Sequence, residues 1–334
     1  MKSDAYKTVL DLLLSQDDFV ITTHRGPDAD GVGACLALAW LLQSNGKQVH
    51  MITNEPIPAR LKFLDAGHQI HHCQHNSLPD LDLPRKVNIL CVDNSDPERL
   101  GVLQQLLQSD LSNLIVIDHH DVQREDYQHH FTWPAASSTC EIAYEILAAS
   151  GLLDTQALPI GVANAIYAGI VIDSGHFRFS KTSPRTHEIA AHLLQLGVRS
   201  ADVAESLLAR WPVGRLQGRR KLYEQLHVSQ DERIAWFIID KRDLDELNIS
   251  FDDLDGIINE LIEPEQVQIG IIFSRREANQ TRVSARSKQV VNLLPAVEAY
   301  GGGGHKNACG ATIPKDLSTS VREFLQRVES CLPA

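Results

Sequence analysis

The chain is short of positive charge, aromatic rings, long apolar runs and paired cysteines, and each shortage excludes something. Lysine and arginine number 31 against 43 aspartates and glutamates, a net charge of −12 over 334 residues. That balance excludes the broad basic face with which proteins coat long nucleic acid. It leaves room for a small phosphate ligand held by a few arginines and a metal. Aromatic residues make up 6 % of the chain. Few of them fall in its arginine- or glycine-rich segments, so a stacking platform for a long single strand is missing. No apolar stretch is long enough to span a bilayer. The opening MKSDAYKTVLDLLLSQDD reads as a short amphipathic helix without the apolar core of a secretory signal. Six cysteines are present, none in a Cys-x-x-Cys pair. Cys35 and Cys91 lie in apolar segments and read as buried thiols, which suits a reducing cytoplasm.

What is present is one repeated juxtaposition: apolar runs that end on acids and histidines. Phe19-Val20-Ile21-Thr22-Thr23 leads into His24-Arg25-Gly26-Pro27-Asp28-Ala29-Asp30, and Asn88-Ile89-Leu90-Cys91-Val92 leads into Asp93. Leu114-Ile115-Val116-Ile117 leads into Asp118-His119-His120, and the run from Ile166 to Ile172 leads into Asp173. Short apolar runs closed by turn-type residues read as buried parallel strands. Ligands of open α/β sheets gather at the carboxyl ends of such strands. The last run is ambiguous, because Pro159 opens a segment that reads equally as a buried helix.

Strands are expected at 19–24, 48–53, 87–93 and 113–118, alternating with helices at 33–45, 98–108 and 138–150, so the fold class is α/β with a parallel, helix-covered sheet. Helices follow at 185–196 and 200–209, and Arg210-Trp211-Pro212-Val213-Gly214 breaks the pattern. The chain divides on this reading into a domain over 1–196, a linker over 197–214 and a smaller domain over 215–334. The smaller domain is expected to hold a helix at 216–226, a strand at 234–239, an acidic helix at 252–262 and an antiparallel pair at 267–274 and 281–286. That pair is joined across 275–280, which places Arg275 and Arg276 in a solvated turn. Residues 1–214 carry 25 acids against 15 bases. A solvated acidic surface accounts for most of that excess, and cation-binding carboxylates account for part.

His24, Asp28 and Asp30 form an H-x-x-x-D-x-D spacing, in which the two aspartates of an extended loop point the same way. Three ligands within seven residues do not fit one ion comfortably; two ions sharing a carboxylate do. A carboxylate-rich set with histidines and no thiolates favours Mn²⁺ or Mg²⁺ over a structural zinc site. Two such ions, roughly 3.5–4 Å apart, activate a water and neutralise charge during in-line attack on phosphorus. An aspartate at a strand end is often only a helix cap, and Asp96, followed by Pro97-Glu98, reads that way. His71-His72-Cys73-Gln74-His75 reads as an exposed loop rather than a metal site.

These motifs resemble the DHH phosphoesterase superfamily, named for the Asp-His-His found here at 118–120. His24-x-x-Pro27-Asp28-x-Asp30-x-x-Gly33 is similar to its first motif, Asp93-Asn94-Ser95-Asp96 to its second, and Gly169 through Arg178 to its fourth. Gly302-Gly303-Gly304-His305-Lys306-Asn307-Ala308-Cys309-Gly310 resembles the signature of the associated DHHA1 substrate-binding domain. The resemblance implies a parallel-sheet DHH domain with helices on both faces and a smaller α/β DHHA1 domain. It implies that His24, Asp28 and a bridging Asp93 hold one Mn²⁺, and that Asp30, Asp93, His119 and Asp173 hold the other. Asp118 would support the histidines, and His120 would touch the scissile phosphate or protonate the leaving oxygen. Ala34, Ser174 and Cys309 depart from the usual residues, and none removes a ligand.

Four glycines in a row usually mean a flexible linker. Here they precede His305, Lys306 and Asn307, and glycine lets backbone N–H groups approach an anion. Gly302, Gly303, Gly304 and His305 are therefore candidate substrate contacts, as the resemblance also suggests. Arg286 is placed to clamp a phosphate in bidentate fashion. Arg178 is a further catalytic candidate, with a plain salt bridge as its bland alternative. The domain pairing is similar to the branch that degrades very short oligoribonucleotides and dephosphorylates 3′-phosphoadenosine 5′-phosphate (pAp). The resemblance thus implies short RNA and nucleotide phosphates as substrates, with no long nucleic acid and no membrane. A cleft closed between the two domains would explain the short substrates, and a homodimer is compatible with the sequence. The rival readings are a cyclic- or linear-dinucleotide phosphodiesterase and a non-catalytic nucleotide sensor.

Overall fold

A computed structural model describes residues 2–75, 77–108, 111–122, 124, 127–208, 213–249, 256–288 and 290–333. The chain forms two compact units, Met1–Arg210 and Trp211–Ala334. Residues 209–212, near the end of the expected 197–214 linker, lie outside the described residues. Ahead of them, Val203 and Leu207 are buried in the core of the first unit.

The first unit runs α1 (Lys2–Ser15), β1 (Phe19–Thr22), α2 (Ala29–Ser44), β2 (Val49–Thr53), β3 (Ile70–His72), β4 (Asn88–Val92), β5 (Leu114–Asp118) and β6 (His129–Thr132). It continues with α3 (Thr139–Ala149), α4 (Leu152–Thr155), α5 (Ile160–Asp173), α6 (Pro184–Gln195) and α7 (Ser200–Leu208). The sheet order is β3-β2-β1-β4-β5-β6, with every pair parallel. The order reverses between β1 and β4, the place where doubly wound sheets open a crevice. One face packs on α2 and α3, with α5 laid over both and α1 against α3, and Phe19, Ile21, Leu90, Ile115 and Ile117 point into that core. The other face carries Val20, Ile89, Cys91, Leu114 and Val116 against Leu100 and Leu103.

One ambiguity is resolved and one expectation changes. The run left open between helix and strand is helix α5, residues 160–173, opened by Pro159. It is apolar all round because it is wedged against both α2 and α3. The expected helix at 98–108 is a 3-10 segment, Pro97–Leu106, broken at Gly101 with φ 53°. The Asn54 side-chain amide bonds the Leu100 carbonyl at 2.7 Å and the Val102 N–H at 3.0 Å, taking over groups a continuous helix would pair.

The second unit contains α8 (Gly214–Glu224), β7 (His227–Val228), β8 (Ile234–Asp240), α9 (Lys241–Leu247), α10 (Ile257–Leu261), β9 (Ile269–Glu277), β10 (Gln280–Ser287), α11 (Leu294–Glu298), β11 (Gly303–His305), β12 (Ala308–Ile313) and α12 (Leu317–Glu329). Its sheet order is β11-β12-β10-β9-β8-β7, with only β8 and β9 parallel among these pairs. Phe324 and Val328, a helical turn apart on α12, cover one face, and α9 and α10 lie against β9 on the other. Of the expected acidic helix at 252–262, residues 252–255 lie outside the described residues and the rest is α10. Strand β9 runs on through Glu277, so Arg275 is not in a turn; it pairs with Asp240 on the parallel neighbour. Arg276 belongs to the same strand. The glycine run is not a linker either, because 303–305 forms the edge strand β11.

Candidate metal centre and active site

The crevice at the switch point is built from five segments. Just past β1, His24 turns its ring so that Nδ1 donates to the Arg25 carbonyl at 2.8 Å, leaving Nε2 facing inward. Asp28 caps α2: its Oδ1 accepts from the Asp30 and Gly31 amides, both at 3.0 Å. The cap reading is thus correct for one oxygen, while Oδ2 lies 3.5 Å from His24 Nε2. Asp93 follows β4 in a left-handed conformation (φ 57°), which costs a non-glycine residue on the order of 1–2 kcal/mol. Asp118 closes β5 and His119 follows it. Asp173 ends α5.

These residues converge. His24 Nε2 is 3.5 Å from Asp93 Oδ2, and His119 Nε2 is 3.5 Å from Asp93 Oδ1 and 3.0 Å from Asp173 Oδ2. His24, Asp28 and Asp93 form one group whose ligand atoms lie within 4.8 Å of one another, and Asp30, His119 and Asp173 form a second. Asp93 reaches both. His120 Nδ1 lies 2.6 Å from Asp118 Oδ1 and 3.6 Å from Asp93 Oδ1.

The donor set fits divalent cations. Asp30, Asp93 and His119 are buried, and the carboxylates crowd one another. Burial, and then the Asp173 charge, push Asp30 up to about 7. Burial, and then Asp28, push Asp173 up to about 7. Burial and Asp30 raise Asp93 well above the carboxylate range. Burial disfavours a charged His24, yet Asp28 and Asp93 outweigh it and raise the ring well above its usual value. Without cations, several acids here must carry protons to coexist; cations remove that need. Asp118 behaves oppositely: despite burial, hydrogen bonds from His120 and Ser95 hold it well below the usual range.

Several supporting residues have no signature in the sequence. Helix α3 points its first amides at Asp30, Thr139 N to Oδ2 at 2.7 Å and Cys140 N to Oδ1 at 2.8 Å. The Thr139 hydroxyl donates to Asp93 Oδ1 at 3.1 Å. Lys181 Nζ donates to the His119 carbonyl at 3.1 Å. A helix is expected over 138–150 from the sequence; its aim at Asp30 is not legible there. Arg178 is exposed, with Nε donating to the Gly175 carbonyl at 2.8 Å. It follows three successive left-handed residues, Gly175, His176 and Phe177. Among the described residues, His71, His72 and His75 join no metal-competent group.

The remaining candidates lie together in the second unit. Arg286 on β10 pairs with Ala308 on β12, which pairs with His305 on β11, so all three share one sheet face. A Cβ at Gly302 would come within 2.4 Å of the Gly310 carbonyl, and Gly304 has φ +130°; at Gly303 a Cβ would meet nothing within 4 Å. Fold geometry therefore requires glycine at 302 and 304.

What the sheet presents at its carboxyl edge is the equipment of a phosphoesterase. The chain belongs to the DHH family: the sequence model of that family's N-terminal domain matches residues 18–170, and that of the DHHA1 domain matches residues 234–334. It is 27 % identical over 311 residues to the bifunctional oligoribonuclease and PAP phosphatase NrnA of Thermus thermophilus, covering 92 % of this chain and 88 % of that protein. It is 24 % identical over 322 residues to the cyclic-di-AMP phosphodiesterase PdeA of Listeria monocytogenes, covering 94 % of this chain but 47 % of the relative. An exopolyphosphatase-related protein from Bacteroides fragilis shares the fold, with a TM-score of 0.84 at 21 % identity over 98 % of this chain and 96 % of the other. No described helix is long and apolar enough to cross a membrane.

Proposed function

We propose that this enzyme hydrolyses very short oligoribonucleotides to mononucleotides and removes a phosphate from pAp, using two divalent cations, Mn²⁺ in preference to Mg²⁺. The observation that carries the reading is Asp93, whose two oxygens each lie 3.5 Å from an imidazole nitrogen of a different ligand group. His24, Asp28 and Asp93 would hold one ion, and Asp30, Asp93, His119 and Asp173 the other. When bound, the ions supply neutralisation of phosphoryl charge and activation of a water.

The chain's own groups do the rest. Asp118 accepts a hydrogen bond from His120 Nδ1–H, which leaves Nε2 as the nitrogen that carries the catalytic proton. His120 then hands a proton from Nε2 to the leaving oxygen as a general acid. Thr139 and the α3 amides keep Asp93 and Asp30 aimed. Arg286, His305 and the Gly302–Gly304 backbone bind the nucleotide and its phosphate, and Arg178 is a further phosphate contact. A terminal mononucleotide as the unit of recognition favours pAp and oligomers of a few residues. The six cysteines, all free thiols, suit a cytoplasmic enzyme.

The test is a parallel rate comparison, with and without Mn²⁺, on pAp, di- to pentaribonucleotides, an RNA of about 24 nucleotides, longer than a site for a small ligand holds, and cyclic di-AMP. Metal-dependent cleavage of pAp and dinucleotide, with little of the long strand, is expected. Comparable rates at all lengths would overturn the short-substrate reading. Faster cleavage of cyclic di-AMP would favour the activity for which the Listeria relative is named. No turnover in saturating Mn²⁺ would favour a nucleotide sensor.

A further inference from the structure

Asp118 is gripped on both oxygens. Its Oδ1 accepts from His120 Nδ1 at 2.6 Å and from the His120 amide at 3.0 Å. Its Oδ2 accepts from the Ser95 hydroxyl at 2.6 Å. Ser95 has a single proton and gives it to Asp118, so toward His130 Nε2, 2.9 Å away, its oxygen acts as the acceptor. An ionised carboxylate at one end fixes every direction in the chain: His130 Nε2–H to Ser95, Ser95 O–H to Asp118, His120 Nδ1–H to Asp118. The Nε2 of His120 is then the ring nitrogen not taken by Asp118.

The sheet explains why these groups meet. Side chains alternate along β5, so Val116 and Asp118 share the face away from α2. His130 pairs with Val116 across β5 and β6 and therefore shares that face. Ser95 arrives from the turn after β4. It is held a second time by Tyr127, whose hydroxyl donates to the Ser95 carbonyl at 3.2 Å and whose ring meets His130 edge-on at 5.4 Å. Ser95 and Tyr127 are buried. A carboxylate anchored at one oxygen can rotate about its Cβ–Cγ bond; one anchored at both cannot without losing a charge-assisted bond.

We infer that Ser95 and His130 are positioning residues: by holding Asp118 Oδ2 they fix the orientation of His120 and, in its neutral form, the Nδ1–H tautomer, so that Nε2 is the nitrogen at which the proposed donor takes up and releases its proton. The catalytic consequence rests on the phosphoesterase reading above, whereas the tautomer does not.

The experiment measures kcat, KM and bound metal with pAp for Ser95→Ala, Ser95→Thr, His130→Phe and His130→Gln, each alone and with Asp118→Asn. His130→Phe keeps a ring beside Tyr127 but no donor, and His130→Gln restores a donor. Ser95→Ala and His130→Phe are expected to lower kcat roughly tenfold to a hundredfold, with KM and metal content unchanged. Threonine and glutamine restore most of the loss, and neither loss adds to that of Asp118→Asn. Histidine ring ¹⁵N spectra of the Mg²⁺-loaded protein supply a readout independent of turnover. They should show His120 as the Nδ1–H tautomer in the parent and as a mixture in Ser95→Ala. Full activity in Ser95→Ala and His130→Phe, losses that multiply with Asp118→Asn, or an unchanged tautomer would each overturn the inference. A parent protein without turnover but with the tautomer shift would sink the phosphoesterase reading and leave the positioning role standing. If Ser95→Ala does not fold, His130→Phe carries the comparison.

Discussion

Gly169 lies so close to Asp30 that a Cβ on Gly169 would sit 2.9 Å from Asp30 Oδ1 and 2.3 Å from Cys140 Sγ. Helices α2 and α5 thus meet at the proposed metal site itself, and the missing side chain is what lets Asp30 stand where the α3 amides can hold it. Gly169→Ala should force these groups apart. Overpacking of this kind costs about 1–3 kcal/mol, and a displaced Asp30 should also weaken one of the two ions. Thermal unfolding with a divalent-metal titration checks both effects. Unchanged melting and unchanged metal affinity would show that the interface yields without disturbing Asp30.

The pH dependence of the metal-free protein has a definite sign. Asp30 and Asp173 are each pushed up to about 7, whereas an unfolded aspartate ionises near 4. Between those values the unfolded chain loses protons that the folded chain keeps, so stability falls as pH rises, by about 1.4 kcal/mol per pH unit for each group, and levels off above about 7. His24, held above its usual range by Asp28 and Asp93, adds to the fall on the alkaline side. Asp28, held down at about 2, contributes nothing to the slope in this window. Chelator-treated protein should therefore melt lower at pH 8 than at pH 5.5, and Mn²⁺ should raise melting far more at pH 8. Equal melting of the chelated protein at the two pH values would count against the crowded, cation-requiring cluster.

Asp93→Asn separates catalysis from folding. It removes the carboxylate shared by both ligand groups, so metal-dependent turnover should fall at least a thousandfold, about 4 kcal/mol of barrier. The same change relieves like-charge crowding with Asp30 and Asp28, so the chelated variant should melt higher than the chelated parent at pH 8. Turnover and melting moving in opposite directions is the signature sought. A variant less stable than the parent without metal would mean that the amide cannot occupy the left-handed Asp93 position or satisfy Thr139.

What the sequence made legible follows from burial. Strands β1, β4 and β5 are sandwiched on both faces, so each is a short unbroken apolar run, and the acid or imidazole after it stands out. Helix α5 is equally enclosed, and for that reason its residues could not be told from a strand. Strands β3 and β6 escaped because they are short edges, Ile70–His72 and His129–Thr132, with histidines where a central strand would be apolar. Arg275 was misplaced because charge at a strand end looks like a turn, when it is answered by Asp240 on the neighbouring strand. Thr139, His130 and Lys181 act across elements distant in the chain, at no fixed spacing, so only the fold gathers them; Ser95 stands inside the second motif, but its bond to Asp118 does not show there.

Arg286 offers the cleanest separation of recognition from chemistry. It lies on the outward register of β10, between the inward Ala285 and Ser287, so its side chain contributes little to the core. It shares a sheet face with His305 through Ala308. Arg286→Ala should therefore leave melting nearly unchanged. It should raise KM for pAp and for dinucleotides about tenfold to a hundredfold, the loss of a bidentate guanidinium–phosphate contact worth about 1.5–3 kcal/mol. Arg286→Lys should recover only part, because an ammonium cannot reproduce the fork. A small aryl phosphodiester, which carries no second phosphate or nucleotide to grip, should be cleaved by the variant as fast as by the parent. An equal loss on the aryl substrate would place Arg286 in the chemistry rather than in recognition.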